Sequence, residues 1–443
     1  MLTHLRIAGF VFVLTILSIA SAEDSWPRFR GPDATGVTAD DPRLPDTWSE
    51  TENVRWSTDV QGWGWSCPVV SGDQVFLTSV WSEEAYEIPQ GGLYLGEGRS
   101  EPPESVHHWV IYCLDFDSGE ILWERQVHED APGFSRHPKS TYASETPVTD
   151  GERVYALFGD LGLYCCDMEG ELLWSHEVEH QPSIMSYGAA ASPILCGDLV
   201  VMVYDNQAQS YIEAFDKTTG ETQWRTDRND RSTWATPFLW ENELRSEIVV
   251  PGFEATRSYD LEGEVLWEMK APMSNLVIPS PFAAHGFLYL TSGYVGDRDR
   301  PVYVIKPGSS GVIDFADDDS LIEWTLPQAG PYNTTPIVYG DYYYTLHDRG
   351  FFTCHNALTG EEVYDRTRFP ESASFTASPW AYNGLLFCLS EQGDTFVVKA
   401  GPEFEVVSIN RLDELCIATP SAVRGRLLIR TASKLYCIEE EGE

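Results

Sequence analysis

The residues equipped to grip a small molecule recur in two settings. Short turns carry Asp160, Asp205-Asn206-Gln207, His347-Asp348-Arg349 and Glu391-Gln392. Stretches just ahead of a proline carry Tyr142, Glu145, Tyr187, Trp234, Asn275, Tyr332, Asn333 and Phe375. Carboxylates and amides offer hydrogen bonds to hydroxyls or oxygens to a hard cation, and the aromatics offer stacking faces. That mixture suits a binding surface for a sugar, a peptide or a cofactor. The candidate ligand-binding set is Tyr142, Glu145, Tyr187, Asp205, Asn206, Gln207, Trp234, Tyr332, Asn333, His347, Asp348 and Arg349. Asp205 and Asp348 are read as surface turn groups, removable without unfolding the chain.

Motifs for bond-breaking chemistry are scarce. There is no G-x-S-x-G elbow, no H-E-x-x-H and no C-x-x-C-H; Cys354-His355 lacks the upstream cysteine. Asp314, Asp317, Asp318 and Asp319 lack the spaced ligands of a calcium loop and read as a solvated turn. His107, His108, His128 and His137 fall in insertions, and neither pair has helical i, i+4 spacing. No catalytic or metal residue is assigned.

What must position these residues is a repeat. Thr-Pro, Ser-Pro or Cys-Pro pairs end at Pro68, Pro147, Pro193, Pro237, Pro281, Pro336, Pro379 and Pro420, and from Pro147 the steps are 46, 44, 44, 55, 43 and 41 residues by subtraction. A period of about 40–50 residues marks a propeller or a solenoid. Each unit holds four short, alternating, β-branched and aromatic runs joined by Gly, Asp and Asn turns, as in Val154-Tyr155-Ala156-Leu157 and Leu163-Tyr164-Cys165-Cys166. Four antiparallel strands per repeat make a propeller blade. The expected fold is an all-β, eight-bladed β-propeller of four-stranded antiparallel blades. The last repeat, Pro420 to Ile438, has only three strands. Asn53 to Trp56 reads as the orphan fourth, so the N-terminal strand closes the last blade.

The third and fourth strands carry a signature: Ala214-Phe215-Asp216-Lys217-Thr218-Thr219-Gly220-Glu221-Thr222-Gln223-Trp224, with Cys113 to Trp123 alike and shorter versions ending at Trp174 and Trp267. This resembles the tryptophan-docking repeat of the pyrroloquinoline-quinone (PQQ) propeller superfamily, over almost the whole mature chain. The opening Trp26-Pro27-Arg28-Phe29-Arg30-Gly31-Pro32 looks like the start of PQQ-like repeat proteins of planctomycete-type bacteria. The resemblance implies either a non-catalytic scaffold of the BamB type or a quinoprotein dehydrogenase. The second needs PQQ on an aromatic, Ca²⁺ on carboxylate and amide oxygens, and an Asp base; Glu145, Asn206 and Asp348 have suitable types. Some such enzymes carry a vicinal disulfide, but Cys165 is already explained by a buried strand position shared with Cys113, Cys354 and Cys437. Trp56, Trp123, Trp174, Trp224, Trp267 and Trp324 are expected to cover the joints between blades.

Residues 1–22 read as a signal peptide, with Arg6, an apolar Ile7 to Ala20 and an Ala20-Ser21-Ala22 cleavage site. An arm spans 23–52, the propeller 53–438 and an acidic tail 439–443. No cysteine follows the cleavage site, so a lipid anchor there is not expected. A net charge of −40, from 69 acidic and 29 basic residues, makes nucleic acid and anionic membranes poor partners, and no stable membrane insertion is expected. The reading is a periplasmic or extracellular monomer that binds a protein or glycan, with no cofactor; PQQ and calcium belong to the alternative. Insertions at 81–108, 129–142 and 293–301 are expected over one channel mouth, and Gly308 to Ser320 on the opposite face.

Overall fold

A computed structural model describes residues 24–92, 94, 101–315 and 320–440. The signal segment, Arg99, Asp317 to Asp319 and residues 441–443 lie outside the described residues. Eight antiparallel sheets follow one another along the chain, and inner strands of successive sheets approach each other. Blade 1 is Val69–Ser71, Gln74–Trp81, His107–Asp115 and Ile121–Asp130. Blade 8 is Ser421–Val423, Arg426–Arg430 and Lys434–Glu439, completed by Val54–Asp59 from the other end of the chain. That strand runs antiparallel to Lys434–Glu439 with Trp56 opposite Cys437. Pairing the two ends removes the one edge a linear array of blades would leave open.

Middle strands are buried on both faces because each blade is sandwiched between two others. Gly162–Asp167 is buried through Cys166, whereas the outer strand Leu172–Glu177 alternates exposed and half-buried residues. Cys165 and Cys166 therefore pack in different inter-blade clusters, and all nine cysteines are buried free thiols.

The tryptophan signature locks one blade to the next. Trp56 donates its indole N–H to Phe116 O at 3.2 Å and lies over Gly119 of blade 1. A Cβ on Gly119 would come within 2.5 Å of the Trp56 ring, and its φ is +75°, so both space and backbone require glycine. Trp123, Trp174, Trp224 and Trp324 dock in the same way on Gly170, Gly220, Gly263 and Gly360 of the following blade. Trp267 departs from this expectation. It packs in the joint between blades 4 and 5, but its N–H goes to Glu247 Oε2 of its own blade at 2.6 Å. The turn it would meet in blade 5 is replaced by the insertion at 308–320. Part of that insertion, Gly311–Asp314, instead pairs in parallel with Val265–Lys270 as a fifth strand of blade 4.

The proline pairs have a second role. A proline on the inner edge strand presents no unpaired N–H, and it holds the preceding residue extended. That preceding residue then donates its own N–H to the hydroxyl at the same position in the next blade. Cys67 donates to Thr146 Oγ1 (3.0 Å), Thr146 to Ser192 Oγ (2.9 Å) and Ser192 to Thr236 Oγ1 (3.2 Å). The chain continues through Ser280, Thr335 and Ser378 to Thr419. Thr419 hydrogen-bonds the Cys67 sulfur, so the ring closes. One hydroxyl or thiol per blade thus satisfies the backbone donor of its neighbour where no sheet partner exists.

The arm crosses the underside of this ring. Trp26 bridges Val70 in blade 1, and Pro27 O accepts from Thr149 N in blade 2. Arg30 then donates to Thr335 O and Pro336 O of blade 6 and to Ala34 O and Thr35 O of the arm itself. Val37 bridges Ala381 in blade 7, and Trp48 stacks on Phe387.

Candidate functional site

The channel inside the ring holds a cavity of about 230 Å³, and its wall is built from a simple register. Ahead of each proline the chain is extended, so side chains alternate. The ring residue faces the channel, and so does the residue two positions earlier. That gives one wall layer of Trp65, Ser144, Ala190, Trp234, Ile278, Asn333, Thr376 and Ile417 above the hydroxyl layer. Phe29 of the arm also lines the cavity. Tyr94, His137, Lys139, Tyr187 and Tyr332 line the other end.

The insertions assemble that mouth. Gln90 N donates to Pro138 O at 3.0 Å, Arg136 donates to Glu87 O, and Tyr94 stands edge-on to His137, which joins the segments at 81–108 and 129–142. From 293–301, Tyr294 packs edge-on against Tyr332 at 5.1 Å. All three therefore gather at one mouth, as the connectivity implies. Lys139 Nζ lies 2.6 Å from Glu391 Oε1, and Glu391 also accepts from Thr376 Oγ1 (2.7 Å) and Gly92 N (2.6 Å). Burial, helped by Lys139 and Arg136, pushes His137 down to about 4, so its ring is neutral at pH 7. Its Nδ1 accepts from Lys139 N at 3.1 Å, which leaves the ring proton on Nε2. Trp65 and Trp234 are fixed by indole bonds to Lys139 O and Gly188 O, both 2.8 Å.

Of the candidate residues, Tyr187, Trp234, Tyr332 and Asn333 line the cavity. The others are placed elsewhere. Glu145 falls one residue ahead of Thr146, out of phase with the wall, and turns between blades to accept from Gly159 N at 3.1 Å. Burial pushes its carboxyl up to about 8. Tyr142 is buried and donates to Phe134 O. Asp205 and Asp348 are not the surface turn groups expected. Asp205 is fully buried against Arg228 (2.8 and 3.2 Å) and Thr233 (2.6 Å). Asp348 accepts from Tyr332 N and Asn333 N, holding those two wall residues in place, and burial raises it to about 6. Asn206 closes its own turn through Tyr204 O and Gln209 O. His347 is buried, and desolvation lowers it to about 3. Gln207 and Arg349 are exposed. Trp65, Lys139 and Thr376 were missed. Counting two residues back from each Thr-Pro, Ser-Pro or Cys-Pro would have found Trp65 and Thr376; Lys139 sits in an insertion with no register to count.

The described residues whose types suit a calcium and PQQ site are engaged elsewhere. Glu391 is engaged by a lysine, a threonine and a backbone N–H. Asp348 is spent on backbone, Asn206 on its own turn, and Glu145 is protonated. Among the described residues no three His, Cys, Asp or Glu side chains are grouped to hold a metal. Cys165 and Cys166 face blade joints rather than the channel.

These features define an eight-bladed propeller with a central channel cavity and an aromatic mouth. The sequence matches the family described as outer membrane protein assembly factor BamB over residues 33–209, 107–365 and 208–440, and the chain belongs to that family. It is 22% identical over 342 residues to methanol dehydrogenase [cytochrome c] subunit 1 of Methylorubrum extorquens, covering 68% of this chain and 51% of that one. The chain thus spans about half the length of that relative. Among solved structures, BamB from Moraxella catarrhalis superposes with a TM-score of 0.59 at 12% identity, covering 87% of this chain and 99% of that one. Quinohemoprotein alcohol dehydrogenase from Comamonas testosteroni superposes with a TM-score of 0.61, also at 12% identity, covering 96% and 82%. At such identities the likeness is one of fold.

Proposed function

We propose that this chain is a non-catalytic binding module, acting as a monomer in the periplasm or outside the cell after cleavage near Ala22, and capturing a protein or glycan ligand at the channel mouth. The observation that carries this reading is the wall itself. Three insertions converge on an aromatic cavity in which, among the described residues, the one charged wall residue, Lys139, is paired by Glu391. Such a wall holds a ligand by stacking and hydrogen bonds and offers no poised acid, base or nucleophile. A scaffold relative such as BamB fits the same reading. Among the described residues no helix is long and apolar enough to cross a membrane.

The alternative is a PQQ- and calcium-dependent quinoprotein oxidoreductase, favoured by the likeness to methanol dehydrogenase subunit 1. The carboxylates it would use are committed elsewhere. The test is to incubate the purified chain with PQQ and Ca²⁺ and record absorbance and dye-linked alcohol oxidation. The binding reading expects neither a bound-cofactor spectrum nor turnover. PQQ-dependent dye reduction would reverse the ranking.

A further inference from the structure

We infer that the channel cavity takes one uncharged pyranose ring, free or at the end of a glycan. The inference rests on the binding reading above and names its ligand class. Size comes first. A cavity of about 150 Å³ accepts a benzene ring, so this one, at about 230 Å³, holds a single six-membered ring with its substituents and little more.

The wall offers the two surfaces such a ring needs. Trp65, Tyr187, Trp234 and Tyr332 present aromatic carbon to the C–H faces of a sugar. Tyr187 is set between two of its neighbours, 4.6 Å from His137 and 6.5 Å from Trp234 between ring centroids. Its hydroxyl is buried, with the residue only 6% exposed, and makes no hydrogen bond. That hydroxyl is shut off from the cavity, so Tyr187 meets a ligand through its ring and not through its oxygen. The neutral His137 carries a proton on Nε2, and the Asn333 amide has both a donor and an acceptor. These are partners for sugar hydroxyls.

The charge state argues for an uncharged ligand. Lys139 is neutralised by Glu391 at 2.6 Å and held by Thr376 at 3.1 Å. On the arm side, Arg30 directs its guanidinium to four backbone carbonyls. Among the described residues, neither of these cations is left to clasp a carboxylate or a phosphate.

The test titrates the full mature chain with methyl α-D-glucopyranoside, methyl α-D-mannopyranoside and methyl β-D-galactopyranoside, with D-glucuronate as the anionic comparison. Binding is read by tryptophan fluorescence and by saturation-transfer NMR. At least one neutral pyranoside is expected to bind, and Asn333→Ala is expected to weaken it about fivefold, the loss of one hydrogen bond. Trp234→Ala is expected to weaken it more than about tenfold, through lost stacking. Absence of pyranoside binding, indifference to both substitutions, or glucuronate binding tighter than every neutral sugar overturns the inference. Retained capture on a peptide array beside a negative sugar titration would sink the ring assignment and leave the binding reading standing. PQQ-dependent dye reduction would end both.

Discussion

Lys139 and Glu391 meet across the channel mouth, Nζ to Oε1 at 2.6 Å, although 252 residues separate them. The lysine comes from the insertion after blade 1 and the glutamate from a turn of blade 7. The same carboxylate takes the N–H of Gly92, so one buried side chain pins both blade-1 insertions to blade 7, two blades away around the ring.

Replacing Glu391 by Ala should therefore free those insertions as well as destabilise the fold. Breaking a largely buried pair by removing one partner costs about 3 kcal/mol or more. Urea melts should show the loss, and limited proteolysis should cut faster between residues 81 and 108. Unchanged cleavage would mean that the insertions are held by other contacts.

Asp205→Ala should be among the more damaging single changes in the chain. It leaves Arg228 buried with its charge uncompensated, a cost of about 3–5 kcal/mol. Arg349→Ala, at an exposed turn position of the same type, should stay within about 0.5 kcal/mol. Equal denaturation midpoints for the two variants would contradict the buried pair.

Glu145 makes stability depend on pH. Its folded pKa, about 8, lies above the ordinary value of 4.5 because burial disfavours the carboxylate. Between those values the folded state keeps a proton that the unfolded state has released, so stability falls as pH rises from about 4.5 to about 8. Glu145→Gln keeps an acceptor for Gly159 N and carries no charge, so it should flatten that decline. The check is a melting series from pH 5 to pH 8. His137 and His347, lowered by burial to about 4 and about 3, act at the acid end, where stability falls as pH drops below about 6.5.

Gly119→Ala and Gly286→Ala separate crowding from backbone strain. Both glycines have positive φ, +75° and +81°, so each alanine carries the left-handed cost of about 1–2 kcal/mol. Only at Gly119 does the new methyl meet the Trp56 ring, at 2.5 Å; nothing lies within 4 Å at Gly286. Gly119→Ala should cost clearly more, as read from the two melts. Comparable losses would show that the indole yields.

Much of the architecture is local and was legible. Strand alternation, the Asp and Gly turns and the spacing of the proline pairs each depend on a few neighbouring residues, and their repetition dictates a ring of blades. Closure by residues 53–56 followed from counting: a last repeat one strand short and a spare strand ahead of the first. The structure bears this out, pairing Val54–Asp59 with Lys434–Glu439. Trp267 is the exception among the docking tryptophans because its partner turn, in the next repeat, had been replaced.

The site was legible only where it inherits the repeat. Trp234 and Asn333 lie two residues ahead of a ring hydroxyl, so period-2 alternation sends them into the channel, and it sends Glu145, one residue out of phase, between the blades. Turn residues have no such register. Whether Asp205 or Asp348 meets solvent, an arginine or a backbone N–H depends on chain brought from elsewhere. Burial makes an unpaired carboxylate too costly to leave alone, so each is held by partners where it is buried. The same holds for Lys139 with its distant Glu391, and for Phe29, carried by the arm to the cavity wall. The sequence by itself determined the ring and its inward-facing positions, because those follow from short-range periodicity. The Phe29 side of the channel, the neutralised lysine and the buried Tyr187 hydroxyl were decided by tertiary structure alone, because each depends on groups far apart in the chain meeting.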